Sequence, residues 1–420
     1  MGIKFRLTVM NFLQYAIWGA YLTSMGSLLA NIGMADKIGL FYAMQGIVSL
    51  FMPAIVGIIA DRWVPAQRLL GLCHLLAAFF MAAAAYSINY TRPDFDYWLI
   101  FSCYSLSVAF YMPTIALSNS VAYSVLENNK LDTVKAFPPI RVWGTVGFIC
   151  SMLFCDFAGF QQAYLQFYQS ATLGLLLGLY AFTLPNCPVN RVGEKKSLVE
   201  ALGLKAFTLF KQRKMALFFI FAMLLGVSLQ ITNGFANPFI TSFREIPEFA
   251  NTFGANHANA LISLSQISET LCILLIPFFL KRFGIKKVML MAMFAWVLRF
   301  GLFGLGNPGG GVWMFILSMI VYGIAFDFFN ISGSLFVNKE TDTNIRSSAQ
   351  GLFMIMTNGI GATIGTLAAQ AVVNHFVYSQ QAPEQMVQGW SASWLIFAGY
   401  ALIVAVAFAV VFKYKHNPAE

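Results

Sequence analysis

Residues Leu69–Ile88 read LLGLCHLLAAFFMAAAAYSI, an apolar run without a formally charged residue. A helix of about 20 such residues is long enough to cross the hydrocarbon core of a bilayer. Two further uncharged runs are Leu99–Leu126 and Trp394–Phe412. All three are continuously apolar and do not alternate with a period of two, which excludes the strands of a membrane β-barrel. The sequence therefore predicts a bundle of transmembrane helices.

The composition of the whole chain indicates the same class of protein. Of the 420 residues, 59% are hydrophobic and 10% are charged, whereas soluble domains carry about 25% charged residues. Most of the exterior must therefore face lipid. We expect no cleavable signal peptide, because the apolar run within Met1–Leu29 is too long for a signal core and is typical of a first span. The six cysteines show no metal or redox spacing and are expected to be packing residues.

We predict an all-α membrane protein with twelve transmembrane helices in two six-helix halves. The first half, residues 1–184, has helices near 7–30, 38–60, 68–88, 97–126, 139–158 and 164–184. A polar, basic cytoplasmic linker follows at 185–214. The second half, residues 215–420, has helices near 215–243, 257–280, 286–305, 312–336, 346–374 and 393–412, and ends in a short tail. Two halves joined by a long linker are typical of a transporter.

The basic residues predict the orientation of these helices. Of the 26 Lys and Arg residues, 21 fall on the side that holds both termini and the linker. Three fall on the opposite side, Lys37, Arg92 and Arg244, and two lie inside spans, Arg141 and Arg299. Because cytoplasmic loops carry the excess of Lys and Arg, both termini are expected in the cytoplasm. This asymmetry explains the net charge of +9 without nucleic acid as a partner.

A weak internal repeat relates the two halves. The loop after span two reads GIIADRW at Gly57–Trp63, and the loop after span eight reads LKRFGIKK at Leu280–Lys287. Both place an Arg followed by an aromatic residue at the cytoplasmic end of a span. They resemble degenerate copies of the G-x-x-x-D-R-x-G-R-[KR] loop of the major facilitator superfamily. The first copy lacks the Gly after the aromatic residue, and the second lacks the Asp.

Four ionisable residues fall inside predicted spans: Arg141, Glu269, Arg299 and Asp327. Each costs about 2.5–3.5 kcal/mol at bilayer depth on insertion scales, so each should face a cavity or a partner. We expect Arg299 to pair with a carboxylate or to extend to the membrane surface, outside the substrate site. Asp156 is predicted near the outer end of span five, in contact with water.

Helical spacing gives Arg141, Glu269 and Asp327 polar or aromatic neighbours, and it also pairs two amides in span seven. The groups are Arg141, Thr145 and Phe148 in span five, Gln230 and Asn233 in span seven, Gln266 and Glu269 in span eight, and Tyr322, Phe326, Asp327 and Asn330 in span ten. Amides on one face suit recognition of a polar ring or sugar, and interhelical hydrogen bonding is the alternative. Aromatic residues beside a carboxylate would let a heterocycle stack while the acid binds a hydroxyl or carries a proton; packing is the alternative for the aromatic stripe.

The most specific blocks of the sequence are FPPIRVWGT at 137–145, LQITN at 229–233, SQISET at 265–270, and residues 322–334. On these blocks the chain resembles the bacterial nucleoside–proton symporter family of the major facilitator superfamily, and the likeness extends from Phe12 to His416. The resemblance implies a central cavity that holds a nucleoside by hydrogen bonds to ribose and base. The substrate-binding residues it implies are Arg141, Thr145, Phe148, Gln230, Asn233, Gln266, Glu269, Tyr322, Phe326 and Asp327.

We therefore expect a proton-coupled importer of nucleosides in the bacterial inner membrane, in which two halves expose a central site alternately to each side. Protonation of a buried carboxylate would select the favoured state. Asp327 is the preferred proton carrier and Glu269 the alternative, with Arg141 as the cation that approaches in only one state.

Several alternatives stay open at this point. An uncoupled facilitator, a symporter for another polar solute such as a sugar, a nucleoside exporter and a non-transporting sensor would share the fold. We expect no enzymatic activity and no cofactor, because H-E-x-x-H, P-loop and G-x-S-x-G motifs are lacking. The expected partners are purine or pyrimidine nucleosides, protons and the lipid bilayer, and the chain is expected to act as a monomer.

Overall fold

The computed structural model describes residues 2–91, 93–187, 204–342 and 345–414, and within them every regular element is a helix. Arg92, residues 188–203 of the predicted linker, and the tail from Lys415 onward, with His416, lie outside the described residues. The side chains of Asp61 and Arg62, in the first copy of the repeat loop, lie outside them as well.

The helices follow the predicted spans closely. In the first part of the chain they are α1 (Ile3–Gly19), α2 (Met25–Asn31), α3 (Ile38–Ser49), α4 (Met52–Arg62), α5 (Ala66–Tyr90), α6 (Tyr97–Asn128), α7 (Thr133–Phe157) and α8 (Leu165–Ala181). In the second part they are α9 (Arg213–Leu229), α10 (Ile231–Ser242), α11 (Phe253–Asn256), α12 (Ala258–Phe283), α13 (Ile285–Leu305), α14 (Val312–Glu340), α15 (Arg346–Met354), α16 (Ala362–Val373) and α17 (Pro383–Val411).

Among the described residues, ten helical stretches are long and apolar enough to cross a membrane. Two of the predicted spans are not among them. The first, expected as one helix over 7–30, is two helices, because α1 ends at Gly19 and α2 begins only at Met25. The sixth, expected over 164–184, is the 17-residue helix α8. The chain is therefore a multi-pass membrane protein, and the helix predicted over 7–30 is broken.

Other predicted spans also contain breaks. Span two changes from α3 to α4 at residues 50–51, just before Pro53. Pro53 lies in the first turn of α4, where the missing N–H of proline costs no hydrogen bond. Span seven breaks at Gln230, between α9 and α10. Span eleven contains two π-helical segments, Ile355–Gly361 and Asn374–Tyr378, a geometry often found at functional positions. The last helix begins at Pro383, ahead of the predicted start at 393.

The chain divides into two compact units. The first consists of Met1–Met34 and Ile47–Leu202, and the second of Ala35–Gly46 and Gly203–Glu420. The beginning of span two is thus grouped with the second unit.

Close backbone contact explains that grouping. The Gln370 side chain accepts a hydrogen bond from the Gly39 N–H at 2.5 Å, with Oε1 as acceptor. A Cβ atom at Gly39 would overlap the backbone of α16, and one at Gly46 would overlap the Thr363 hydroxyl. Glycines at these positions let two helical backbones approach each other, as small residues do in membrane proteins generally.

Aromatic packing holds the helices of the second unit together. Trp394 of α17 lies 4.8 Å from Phe303 and 5.8 Å from Phe300 of α13, measured between ring centroids. Phe303 in turn lies 5.8 Å from Phe315 of α14. Aromatic pairs contribute about 0.5–1.5 kcal/mol each beyond the area that they bury. This packing fixes α13, which carries Arg299, against α14, which carries Tyr322 and Asp327.

Candidate functional site

The three candidate residues of α7 lie against α1. The guanidinium carbon of Arg141 is 3.9 Å from the ring centroid of Tyr15, and Phe148 packs edge-on against Trp18 at 6.3 Å. Phe148 is buried, whereas Arg141 and Thr145 are half-buried. A cation so close to an aromatic face is attracted by the ring quadrupole. Tyr15 and Trp18 therefore join the candidate site, and no spacing pattern in the sequence singled them out.

Glycines allow this approach of α7 to α1. A Cβ atom at Gly144 would lie 2.5 Å from the ring of Tyr15, and one at Gly147 would lie 2.1 Å from the carbonyl oxygen of Phe12. Neither distance leaves room for a side chain. The two glycines, three residues apart, thus set the separation at which Arg141 can stack on Tyr15.

A buried polar network connects α1 to α5 and α6. Gln14 donates through Nε2 to the Thr114 hydroxyl at 2.8 Å, and its Oε1 lies 2.7 Å from His74 Nε2. Because the amide oxygen accepts, His74 Nε2 carries the proton in this arrangement. The Tyr111 hydroxyl donates to the Gln14 carbonyl oxygen at 2.7 Å. These bonds hold the segment of α1 that carries Tyr15 and Trp18.

The two amides of span seven lie at the break between α9 and α10. Gln230 is the junction residue, and Asn233 Nδ2 donates to Gln230 Oε1 at 2.6 Å. Both side chains are half-buried. The bond leaves the Gln230 NH₂ group as a donor and the Asn233 oxygen as an acceptor. A donor beside an acceptor is the pattern that matches the edge of a heterocyclic base.

The second unit also brings two carboxylates together. Asp327 of α14 is 5% exposed, and its Oδ2 atom is buried without a hydrogen-bond partner in the part of the chain that the structure describes. Glu269 of α12 is half-buried, one turn beyond Gln266, and interacts electrostatically with Asp327. Two like charges with little water around them repel each other, so the pair is a place where a proton can bind.

Beside these carboxylates lies a pair of parallel rings, here called the aromatic shelf. Its members are Tyr322 and Phe326, whose centroids are 5.6 Å apart and whose planes differ by 11°. Tyr322 interacts electrostatically with both Glu269 and Asp327. A flat apolar surface next to acids can stack on a planar ring while the acids bind polar substituents.

Two expectations about charged residues are wrong. Among the described residues no carboxylate lies within 4.0 Å of Arg299, and its side chain does not extend to the protein surface: it is 2% exposed, and Nη1 donates to the Ser318 carbonyl oxygen at 2.6 Å. Asp156 does not meet water: it is 3% exposed and accepts a 2.7 Å hydrogen bond from Gln161 Nε2. The chain turns back after α7 ends at Phe157, and this turn covers the carboxylate.

No group of three or more His, Cys, Asp or Glu side chains that could hold a metal ion exists among the described residues. The six cysteines are all free thiols, and four of them are buried. The arrangement is one of hydrogen-bonding amides, stacked rings and a pair of acids, of which Asp327 is buried and Glu269 is half-buried.

Comparison with known proteins finds relatives that match along nearly the whole chain. The profile of the nucleoside H⁺ symporter family matches residues 1–417. The xanthosine permease of Escherichia coli (strain K12) is 49% identical over 423 residues, which cover 100% of this chain and 98% of that protein. The nucleoside permease NupG of the same organism is 46% identical over 419 residues, covering 99% and 97%.

Solved structures give the same result. The crystal structure of nucleoside transporter NupG matches with a TM-score of 0.89 at 45% identity, covering 99% of this chain and 100% of that one. The D-xylose–proton symporter, with a TM-score of 0.70 at 12% identity and 99% of each chain covered, shares the fold alone, that of the major facilitator superfamily. The relatives are permeases and not enzymes. With a family profile matched over nearly its whole length, this chain belongs to the nucleoside H⁺ symporter family.

Proposed function

We propose that this protein imports nucleosides together with protons across the bacterial inner membrane, by alternating access, with both termini in the cytoplasm. Nucleoside transport follows from the family, and proton coupling follows from the family's name. The proposal includes twelve spans in two halves of six, 1–184 and 215–420, joined by the linker at 185–214. The basic residues support the orientation, because the predicted spans place 21 of 26 on the side of the termini.

The observation that carries the proposal is the position of Asp327. It is buried, has an unpartnered oxygen, and has no cation within 4.0 Å among the described residues. It also directly follows Phe326, a member of the aromatic shelf. A proton and a substrate ring would therefore bind within one turn of α14. When two ligands bind so close together, each changes the free energy with which the other binds, and this is what coupling requires.

The roles of the other residues follow from their chemistry. Gln230 and Asn233 would bind the edge of the base, and the aromatic shelf would stack on its face. Gln266 and Glu269 would bind the ribose hydroxyls. Asp327 would carry the proton, with Glu269 as the alternative carrier. The roles of the remaining three residues are supported by the family resemblance. Thr145 and Phe148 would contact the substrate, and Arg141 would neutralise an acid in one conformational state of the transport cycle.

Uptake into proteoliposomes tests the proposal. Radiolabelled uridine should accumulate when the proton gradient is directed inward, and a protonophore should abolish the accumulation. Unlabelled nucleosides should compete, whereas free ribose and free nucleobases should not. Equilibration that ignores the gradient would reduce the protein to a facilitator. Competition by ribose would indicate a sugar carrier, and efflux driven by the opposite gradient would indicate an exporter.

Matched carboxylate variants separate coupling from transport. Asp327→Asn should abolish accumulation but retain exchange of labelled for unlabelled uridine, because the amide keeps the shape and cannot take up a proton. Asp156→Asn is the control, since Asp156 is equally buried and its amide replacement can still accept the bond from Gln161. Undiminished accumulation by Asp327→Asn would rule out Asp327 as the proton carrier.

A further inference from the structure

Arg299 is a buried cation that the proposed transport mechanism does not use. Its side chain is 2% exposed, and no carboxylate lies within 4.0 Å of it in the described part of the chain. Arginine stays protonated in proteins, and a charge at this depth in a membrane span is expensive and usually functional. The contacts that compensate the charge therefore indicate what the residue does.

Those contacts are one backbone oxygen and two aromatic faces, together with two longer contacts of Nη1, to the Ser265 hydroxyl oxygen at 3.4 Å and to the Met319 sulfur at 4.0 Å. Arg299 Nη1 donates to the carbonyl oxygen of Ser318 at 2.6 Å, and the Ser318 hydroxyl donates back to the Arg299 carbonyl oxygen at 2.9 Å. The guanidinium carbon lies 4.6 Å from the ring centroid of Tyr322 and 5.2 Å from that of Phe303. The guanidinium is thus anchored to α14 one turn before Tyr322, and it stacks on the ring of that residue.

Tyr322 is restrained by this contact and by two others. Phe326 stacks on it at 5.6 Å, and Trp296 meets it edge-on at 6.0 Å and 88°. Arg299 and Trp296 both come from α13, so α13 fixes the plane of a ring that belongs to α14. The plane of Tyr322 in turn sets the plane of the aromatic shelf, since the two shelf rings are nearly parallel.

We propose that Arg299 is a positioning residue for substrate recognition: it holds Tyr322, and with it the aromatic shelf, in the orientation on which a nucleoside base stacks. The part of this inference that concerns the nucleoside rests on the proposed function. The part that concerns the orientation of Tyr322 does not, and it is measurable without any substrate.

The planar shape of arginine is what the role requires. A guanidinium is flat and weakly hydrated and stacks on aromatic rings, whereas the lysine ammonium is a compact, strongly hydrated point charge. Arg299→Lys therefore keeps the charge and loses the stacking on Tyr322 and Phe303. Arg299→Met keeps an apolar chain of similar length and removes the charge as well.

Binding of uridine to the purified full chain, measured by isothermal titration calorimetry, tests the first part. Arg299→Lys should raise Kd about tenfold, equivalent to about 1.4 kcal/mol, and Arg299→Met should raise it at least as much. The matched control is Arg244→Lys, because Arg244 also donates to backbone carbonyls, those of Ala255 and Asn256 at 2.7 Å. Its Kd should equal that of the wild type. Phe303→Leu, which removes one of the stacked faces and leaves Arg299 in place, should raise Kd by a smaller factor.

A fluorine label tests the second part without substrate. With 3-fluorotyrosine incorporated at position 322, the wild type should give one narrow ¹⁹F resonance, shifted by the stacked ring of Phe326. Arg299→Lys and Arg299→Met should move or broaden this resonance, and Arg244→Lys should leave it unchanged.

The outcomes distinguish this inference from the proposed function. A wild type that binds no nucleoside overturns the proposed function, and the ¹⁹F resonance then decides alone whether Arg299 orients Tyr322. Wild-type Kd and an unchanged resonance in both Arg299 variants overturn the inference and leave the function intact. A variant that folds in lower yield, while its folded fraction keeps the wild-type Kd and resonance, shows that Arg299 has only a structural role and also overturns the inference.

Discussion

Adding one methyl group at Gly147 tests how the packing of α7 on α1 determines the candidate site. In Gly147→Ala the new Cβ atom would lie 2.1 Å from the Phe12 carbonyl oxygen, whereas ordinary van der Waals contacts begin at 3.4 Å. The two helices would have to separate locally by the difference, about 1.3 Å, to restore normal contact. Since Arg141 stacks on Tyr15 across the same interface, the separation would weaken that contact too.

Two opposing effects determine how much Gly147→Ala changes the free energy of unfolding. Alanine is more favourable than glycine in a helix by about 0.8–1 kcal/mol, and overpacking a tight contact costs about 1–3 kcal/mol. Gly301 in α13 provides the matched control, because no atom lies within 4 Å of a Cβ added there. Gly301→Ala should show the helix gain alone, so the two variants should differ by the overpacking cost, about 1–3 kcal/mol. For a folded unit of about 150–250 residues, each kcal/mol of stability changes Tm by about 2–4 °C.

Thermal unfolding of the purified variants, followed by tryptophan fluorescence in one detergent, measures that difference. Gly147→Ala should have the lower Tm and a weaker affinity for uridine, while Gly301→Ala should match or exceed the wild type in Tm and keep its affinity. Equal Tm values and equal affinities for the two variants would refute the reasoning, since they would mean that α1 and α7 are not in close contact at Gly147.

Three further predictions concern other parts of the molecule. Gln370→Ala leaves the buried Gly39 N–H without its acceptor and should destabilise the protein by about 1–3 kcal/mol, measured as a lower Tm. Lys214→Gln breaks the ion pair with Glu340, but both side chains are partly exposed, so the change should be below about 1 kcal/mol in the same assay. Cys187, beyond the end of α8, should react slowly with maleimide at pH 7 in a variant that keeps only this cysteine. Burial raises the pKa of its thiol, which lowers the fraction present as the reactive thiolate. The rate of its reaction with maleimide should therefore still increase with pH in the range where the rate for an exposed thiol no longer changes.

The positions of the spans could be predicted from the sequence because the membrane imposes them. Apolar runs at 68–88 and 286–305 became α5 (Ala66–Tyr90) and α13 (Ile285–Leu305), each within two residues at either end. The breaks could not be predicted. Gln230 ends α9 without a glycine or proline at that position. Such breaks depend on neighbouring helices that make up for the interrupted backbone bonds, and the sequence of one span carries no information about its neighbours.

Some features of the candidate site could likewise be predicted from the sequence, and others could not. The amide pair at 230 and 233 and the ring pair at 322 and 326 are one helical turn apart, so spacing alone made them neighbours. Contacts across helices, such as that of Arg141 with Tyr15, join residues 126 positions apart and have no such pattern. For Arg299 the sequence showed only that a charge lies within a span. The expected carboxylate partner is not found among the described residues, where two aromatic faces, a backbone oxygen and the Ser265 hydroxyl compensate the charge instead.

The two arginines inside spans share one kind of contact but differ in freedom. Each places its guanidinium over a tyrosine ring, Arg141 over Tyr15 at 3.9 Å and Arg299 over Tyr322 at 4.6 Å. Arg141 is half-buried, so its charge is partly hydrated and it can exchange the ring for a substrate hydroxyl or a carboxylate at modest cost. Arg299 is fully buried and bonded to the backbone, so any movement would leave its charge unsolvated. Burial therefore supports the mobile role proposed for the first arginine in the transport cycle and the fixed, orienting role proposed for the second.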